Sequence, residues 1–223
     1  MVPFMDSCCS GNRGVPAAVA KCESPHLLAA RNFTTATGGN VSARMPDGSC
    51  WITPSRLHKA RVRVEDLVRV DAEGTVLEGD NVPSSETAMH LAALRALPQA
   101  GAIIHAHPIA ATGFAQAGLP IDTTSSSEAY VILGSQVPLL PYATPSTNQL
   151  AEMVFTALCE RNQAYLLANH GVLTWGTDLW GAYDILDTLE LFAQSLLASS
   201  TLGGARKLPD HELAVLDTKR VIL

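Results

Sequence analysis

The sequence predicts an α/β sandwich built around a central, mostly antiparallel sheet. Short apolar runs bounded by Gly and Pro read as strands, and longer stretches with apolar residues three and four apart read as helices. The two kinds are intermixed and include a hairpin, so a strictly alternating parallel fold is not indicated. The 223 residues, 47% hydrophobic and 16% charged, suit one domain with a sizeable core.

Residues 1–15, MVPFMDSCCSGNRGV, mix Pro, Gly, Ser and Cys without period and read as a loose arm, leaving 16–223 as a single domain. A helix is expected over residues 16–32, then a tight turn at Gly38-Gly39 leading into a strand at NVSAR. SCWITPS reads as a second strand, and DLVRVDAEGTVLEG as a hairpin with Glu73-Gly74 in its turn. PSSETAMHLAALRAL reads as a helix capped by Ser84 or Ser85, which places Glu86 in its first turn. AGAIIHAHP is a short strand stopped by Pro108, PIAATGFAQAG a helix, and VPLLPY an apolar edge segment broken by prolines. TNQLAEMVFTALCERN reads as a helix and AYLLANHG as a strand ending in Asn169-His170-Gly171. DLWGAYDILDTLELFAQSLLASSTL reads as a long amphipathic helix.

Net charge is −6 with scattered Lys and Arg, which excludes the concentrated basic face that nucleic acid requires. Arg56, Lys59, Arg61 and Arg63 form the one basic group, suited to a solvated face or to a small anionic substrate. No apolar run reaches the roughly 18 to 20 residues of a membrane span, so no membrane partner and a cytoplasmic location are expected. Cys8, Cys9, Cys22, Cys50 and Cys159 show no metal-ligand spacing and suit a reducing compartment.

His105 and His107 are two apart in an extended segment, so their imidazoles point the same way and can converge on one ion. A catalytic zinc takes three protein ligands, and His170, at a strand end before Gly171, is the best third candidate. His26, His58, His90 and His211 have no such setting. Glu86 at a helix start is either a general base or a helix-terminus partner of Ser84 or Ser85, and the residues leave both open. TGGNVS, TPSR and PSSE each offer hydroxyls and free amides at an element end; together they resemble a phosphate cradle.

TGGNVSAR, ITPS, PSSETAMH, HAHP and NHGVLTWG, in this order and spacing, resemble the class II aldolase and adducin family over about residues 25–215. The resemblance implies a three-layer α/β/α sandwich, a C4 homotetramer and a divalent ion, Zn2+ or another such as Mn2+ or Co2+, on His105, His107 and His170. It implies Glu86 as the catalytic acid/base, with Thr37, Gly39, Asn40, Ser55, Ser84 and Ser85 at the substrate phosphate. Arg56 replaces a glycine of the family's TPTG motif and either grips the phosphate or alters which substrate fits. The family's catalytic tyrosine has no counterpart in register: Tyr130 is offset by several residues, and no tyrosine follows Tyr183.

The expected activity is metal-dependent, reversible cleavage of a ketose 1-phosphate, of fuculose, deoxyribulose or methylthioribulose type, to dihydroxyacetone phosphate and an aldehyde. The missing tyrosines favour a deoxy or methylthio substrate. The enzymatic rivals are a methylthioribulose-1-phosphate dehydratase and a pentulose-5-phosphate 4-epimerase, and the non-enzymatic one is an adducin-like interaction module.

Overall fold

The computed structural model describes residues 23–223. The expected arm at 1–15, the first part of the helix expected over 16–32, and Cys8, Cys9 and Cys22 lie outside the described residues. The described part of that helix is α1, Glu23–Ala30. The remaining helices are α2 (Thr87–Ala96), α3 (Ile109–Ala117), α4 (Ser127–Leu133), α5 (Asn148–Ala157), α6 (Leu179–Ser200) and α7 (Asp210–Asp217). The strands are β1 (Asn40–Arg44), β2 (Cys50–Ile52), β3 (Val68–Val70), β4 (Val76–Glu78), β5 (Ala102–Ala106), β6 (Ile121–Asp122), β7 (Gln136–Val137), β8 (Leu139–Leu140), β9 (Ala164–Leu167) and β10 (Gly171–Gly176).

Eight strands form one sheet in the order β4-β3-β2-β1-β5-β10-β9-β8. Only β8 and β9 run parallel, so the sheet is mostly antiparallel as expected, and VPLLPY supplies its edge. The β3–β4 hairpin turns at Gly74 (φ 89°), where the Asp71 carboxylate accepts the amides of Glu73 and Thr75.

Strand side chains alternate between the two faces of the sheet. Val41, Ala43, Ala102, Ile104, Ala106 and Val172 pack with α3 and α6 on the first face. Cys50, Ile52, Val68, Ile103 and Leu173 pack with α2 and α5 on the second, through Met89, Leu94, Leu150 and Val154. Three layers result. Cys50 is wholly buried, which pushes its thiol up to about 12. No helix among the described residues is long and apolar enough to cross a membrane.

Two expectations are corrected. AYLLANHG does not simply end: the chain turns at residues 168–170 and returns as β10, a strand buried along its whole length. Because both of its faces are covered, GVLTWG lacks the alternation that marks a half-exposed strand. Glu86 is the N-cap of α2 rather than a first-turn residue, and no side chain caps that helix. Ser84 instead accepts the Glu86 amide on its own hydroxyl (3.2 Å) and the Thr87 hydroxyl on its carbonyl (2.6 Å). This holds the chain in a turn in which the Glu86 side chain takes no part in capping the helix.

Pro108 ends β5 and caps α3, which closes at Gly118 in the left-handed conformation. The buried Glu190 carboxylate, from the middle of α6, accepts the amides of Ala110 and Ala111 (2.9 Å each). The segment after His107 is thereby tied to the longest helix.

Candidate metal centre and active site

Polar side chains gather on the second face where the start of β1 meets the end of β5. There Asn40 and Ser42 project from β1 and His105 from β5, with Asn40 and His105 directly paired across the strands. His107 lies one residue past β5, and its amide donates to the Phe33 carbonyl (2.7 Å), so the extended path continues. His170 occupies the β9–β10 turn, in which Asn169 takes the left-handed conformation (φ 55°). The ligand nitrogens of His105, His107 and His170 all lie within 4.8 Å of one another. Gly171 permits a close approach of β10 to this group. A Cβ there would stand 2.4 Å from His107 Cδ2 and 2.5 Å from the Ala106 carbonyl oxygen.

Burial disfavours the charged form of all three imidazoles. Burial holds His105 well below its ordinary range, and the neighbouring His107 and His170 add to the effect. Burial likewise lowers His107 and His170. His105 donates Nδ1–H to the Val172 carbonyl (2.8 Å), which fixes its tautomer and leaves the Nε2 lone pair facing His107 Nε2 at 3.0 Å. Glu86 completes the group, with Oε2 at 3.3 Å from His105 Nε2 and Oε1 at 3.4 Å from His170 Nε2. Glu86 Oε1 and His170 Nδ1 are buried without a hydrogen-bond partner. Three imidazoles with converging nitrogens and an orphaned carboxylate oxygen fit a divalent ion of the zinc type.

A fourth histidine belongs to the site, contrary to the sequence reading. His90 is wholly buried, and burial pushes it down to about 3, so it is neutral. Ser42 donates its hydroxyl to His90 Nδ1 (2.7 Å), His90 donates Nε2–H to Asn40 Oδ1, and Asn40 donates Nδ2–H to Glu86 Oε2 (2.9 Å). Every donor in this chain points toward the carboxylate. The available signal was spacing, since His90 is four residues after Glu86 on one helix. The other three histidines lie elsewhere: His26 bonds to the Val62 carbonyl, His58 accepts the Ala60 amide, and His211 is exposed.

The three polar loops meet beside this group. Pro54 and Pro83 pair as an isolated antiparallel bridge, and the Ser55 amide donates to Val82, which lays Ser55-Arg56 alongside Ser84-Ser85. Lys59 donates to the carbonyls of Thr37 (3.1 Å) and Leu57 (3.0 Å), joining the Thr37–Asn40 loop to the same patch. Gly39 has φ 68°, and Arg56, at 59°, is a non-glycine residue in the left-handed region. Thr37, Arg56 and Ser85 are exposed, Ser55 is half-buried and Ser84 is buried. Asn40 differs from the others in that its side chain is already engaged by Glu86 and His90. Tyr130 donates its hydroxyl to Asp217 on α7 (3.1 Å), and Thr123 bonds to the Gly134 carbonyl, so both serve the scaffold.

The description "Class II Aldolase and Adducin N-terminal domain" matches residues 20–197. A 5-deoxy-D-ribulose 1-phosphate aldolase of Bacillus thuringiensis is 33% identical over 188 residues, 84% of this chain and 87% of the relative. A 3-oxo-tetronate 4-phosphate decarboxylase of Haemophilus influenzae is 33% identical over 195 residues, 85% of this chain and 90% of the relative. The solved structure of an L-fuculose 1-phosphate aldolase superposes with a TM-score of 0.82 at 31% identity, covering 94% of this chain and 99% of that one. With the histidine group and the three-layer fold in place, the chain belongs to the class II aldolase and adducin family.

Proposed function

We propose that the protein is a divalent-metal-dependent lyase that reversibly cleaves a ketose 1-phosphate to dihydroxyacetone phosphate and an aldehyde. The observation that carries this reading is the Glu86 carboxylate, set between His105 and His170 and oriented by Asn40. His105, His107 and His170 would hold the ion. When bound, zinc, manganese or cobalt supplies Lewis-acid stabilisation of the charge that develops on the substrate carbonyl oxygen. Thr37, Gly39, Asn40, Ser55, Arg56, Ser84 and Ser85 would hold the phosphate and fix the register of the carbon chain. Cleavage of the bond between C3 and C4 gives the C4 hydroxyl proton up to water and leaves an electron pair at C3 that is shared with the C2 carbonyl oxygen. Glu86 delivers a proton there, and removes it in the condensation direction.

The aldehyde is of the deoxy or methylthio kind, a choice supported by the commitment of Tyr130 to Asp217 and by the 5-deoxyribulose 1-phosphate aldolase among the relatives. A homotetramer, measurable by light scattering, is part of the same proposal.

Phosphorus and proton NMR of products from a panel of ketose 1-phosphates tests the reading, with metal-loaded wild type and Glu86→Gln. Dihydroxyacetone phosphate from the wild type is expected, with the variant slower by roughly 10²–10⁴-fold. A diketo phosphate would make the protein a dehydratase, an epimeric pentulose phosphate an epimerase, and loss of CO2 from a 3-oxo acid phosphate a decarboxylase. An inert, metal-replete protein would point to the interaction module.

A further inference from the structure

Lys59 is the one buried lysine or arginine among the described residues, with 1% of its surface exposed. Its neighbours in the basic group, Arg61 and Arg63, are exposed, so the group is not a uniform solvated face. The Lys59 ammonium donates to two backbone carbonyls, Thr37 and Leu57, and no carboxylate among the described residues lies within ion-pair distance of it. A buried ammonium with no counter-charge among the described residues is unfavourable, and burial pulls Lys59 down to about 8, which still leaves it mostly charged at neutral pH. Both carbonyls belong to cradle loops: Thr37 precedes Gly38-Gly39-Asn40, and Leu57 follows Ser55-Arg56. The ammonium therefore ties together the backbone of two of the loops that gather Thr37, Gly39, Ser55 and Arg56.

We propose that Lys59 is the buried cation of the substrate-phosphate pocket, strengthening binding of a phosphate dianion through the protein interior without touching it. The inference rests on the reading above insofar as that reading places phosphate on these loops. Charge buried in a low-dielectric region acts over longer distances than charge in water, so contact is not required.

Calorimetric titration of inorganic phosphate into metal-replete protein tests it, with no dependence on turnover. Wild type is compared with Lys59→Gln, Lys59→Met and the double variant Ser84→Ala/Ser85→Ala. Glutamine retains donors for the two carbonyls but carries no charge. Lys59→Gln and Lys59→Met should both bind phosphate roughly tenfold more weakly, with bound metal and melting temperature retained in Lys59→Gln. Wild-type affinity in Lys59→Gln, alongside weakening in the serine variant, overturns the proposal and leaves the cradle standing, with Lys59 a stitch between loops. Unchanged affinity in the serine variant removes the cradle and Lys59's role together. If Lys59→Met does not fold, Lys59→Gln decides alone.

Discussion

Glu86 is aimed by other residues rather than by its own helix. The chain Ser42, His90, Asn40, Glu86 has one donor and one acceptor at each link, so removing His90 leaves Asn40 Oδ1 buried and unpaired. His90→Leu should cut kcat by roughly 10–100-fold with a smaller change in KM, the range typical when a partner behind the reacting group is lost; steady-state kinetics with metal analysis measures it. His90 also sets a pH dependence. Its folded pKa of about 3 lies below the ordinary 6.5, so between those values the unfolded chain binds more protons than the native one. Stability is therefore full above about pH 6.5 and is lost as pH falls toward 3. Burial of His105, His107 and His170 acts with the same sign. Melting of metal-free protein from pH 7 to 4 should show this decline, with a shallower slope in His90→Leu; a melting point that rises on acidification would refute it. At this scale the sequence was partly legible. The HxH spacing announced convergence because strand geometry is local, whereas the spacing of His90 from Glu86 is a weaker signal, since the bonds that tie His90 to the site run to Ser42 and Asn40, far away in the chain.

Elements position the histidines by two contacts that carry no metal themselves. Glu190 fixes the start of α3 just after His107, and substituting Ala would leave two buried amides without acceptors. A loss of about 2–4 kcal/mol is expected from denaturant unfolding of Glu190→Ala. Gly171 lets β10 pass against the His107 ring. Gly171→Ala should displace that ring and lower metal affinity by at least about tenfold, read by competition with a chromogenic chelator. The hairpin and the long helix were legible because turn chemistry and period are written in consecutive residues. β10 was not, because a strand covered on both faces leaves no alternation. The α2 start was misplaced for a related reason: Ser84 has the chemistry of a cap, but its hydroxyl is spent on the Glu86 amide inside the preceding turn.

For the whole molecule, the polar group sits at the end of an apolar layer, and it is most favourable when something satisfies Glu86 Oε1 and the facing nitrogens. Chelation of metal-loaded protein should therefore lower the melting temperature, and restoring the ion in excess should recover it in proportion to RT ln(1 + [M]/Kd). No difference between loaded and chelated samples would count against an ion on these residues. The α/β sandwich with a mostly antiparallel sheet was legible from the mixture of periods, and its three layers and membership of the family from five motifs in order. The convergence of the three polar loops was not, because it depends on the Pro54–Pro83 bridge and on Lys59 reaching two carbonyls. Cys50 offers a different use of the same packing. Its thiol is sealed between β1 and β3 and held far from ionisation, so an alkylating reagent can reach it only when the sheet opens. The rate at which the Cys50 peptide is modified, followed by mass spectrometry with exposed Cys159 as the fast reference, is a clock for sheet opening already built into the unmodified chain.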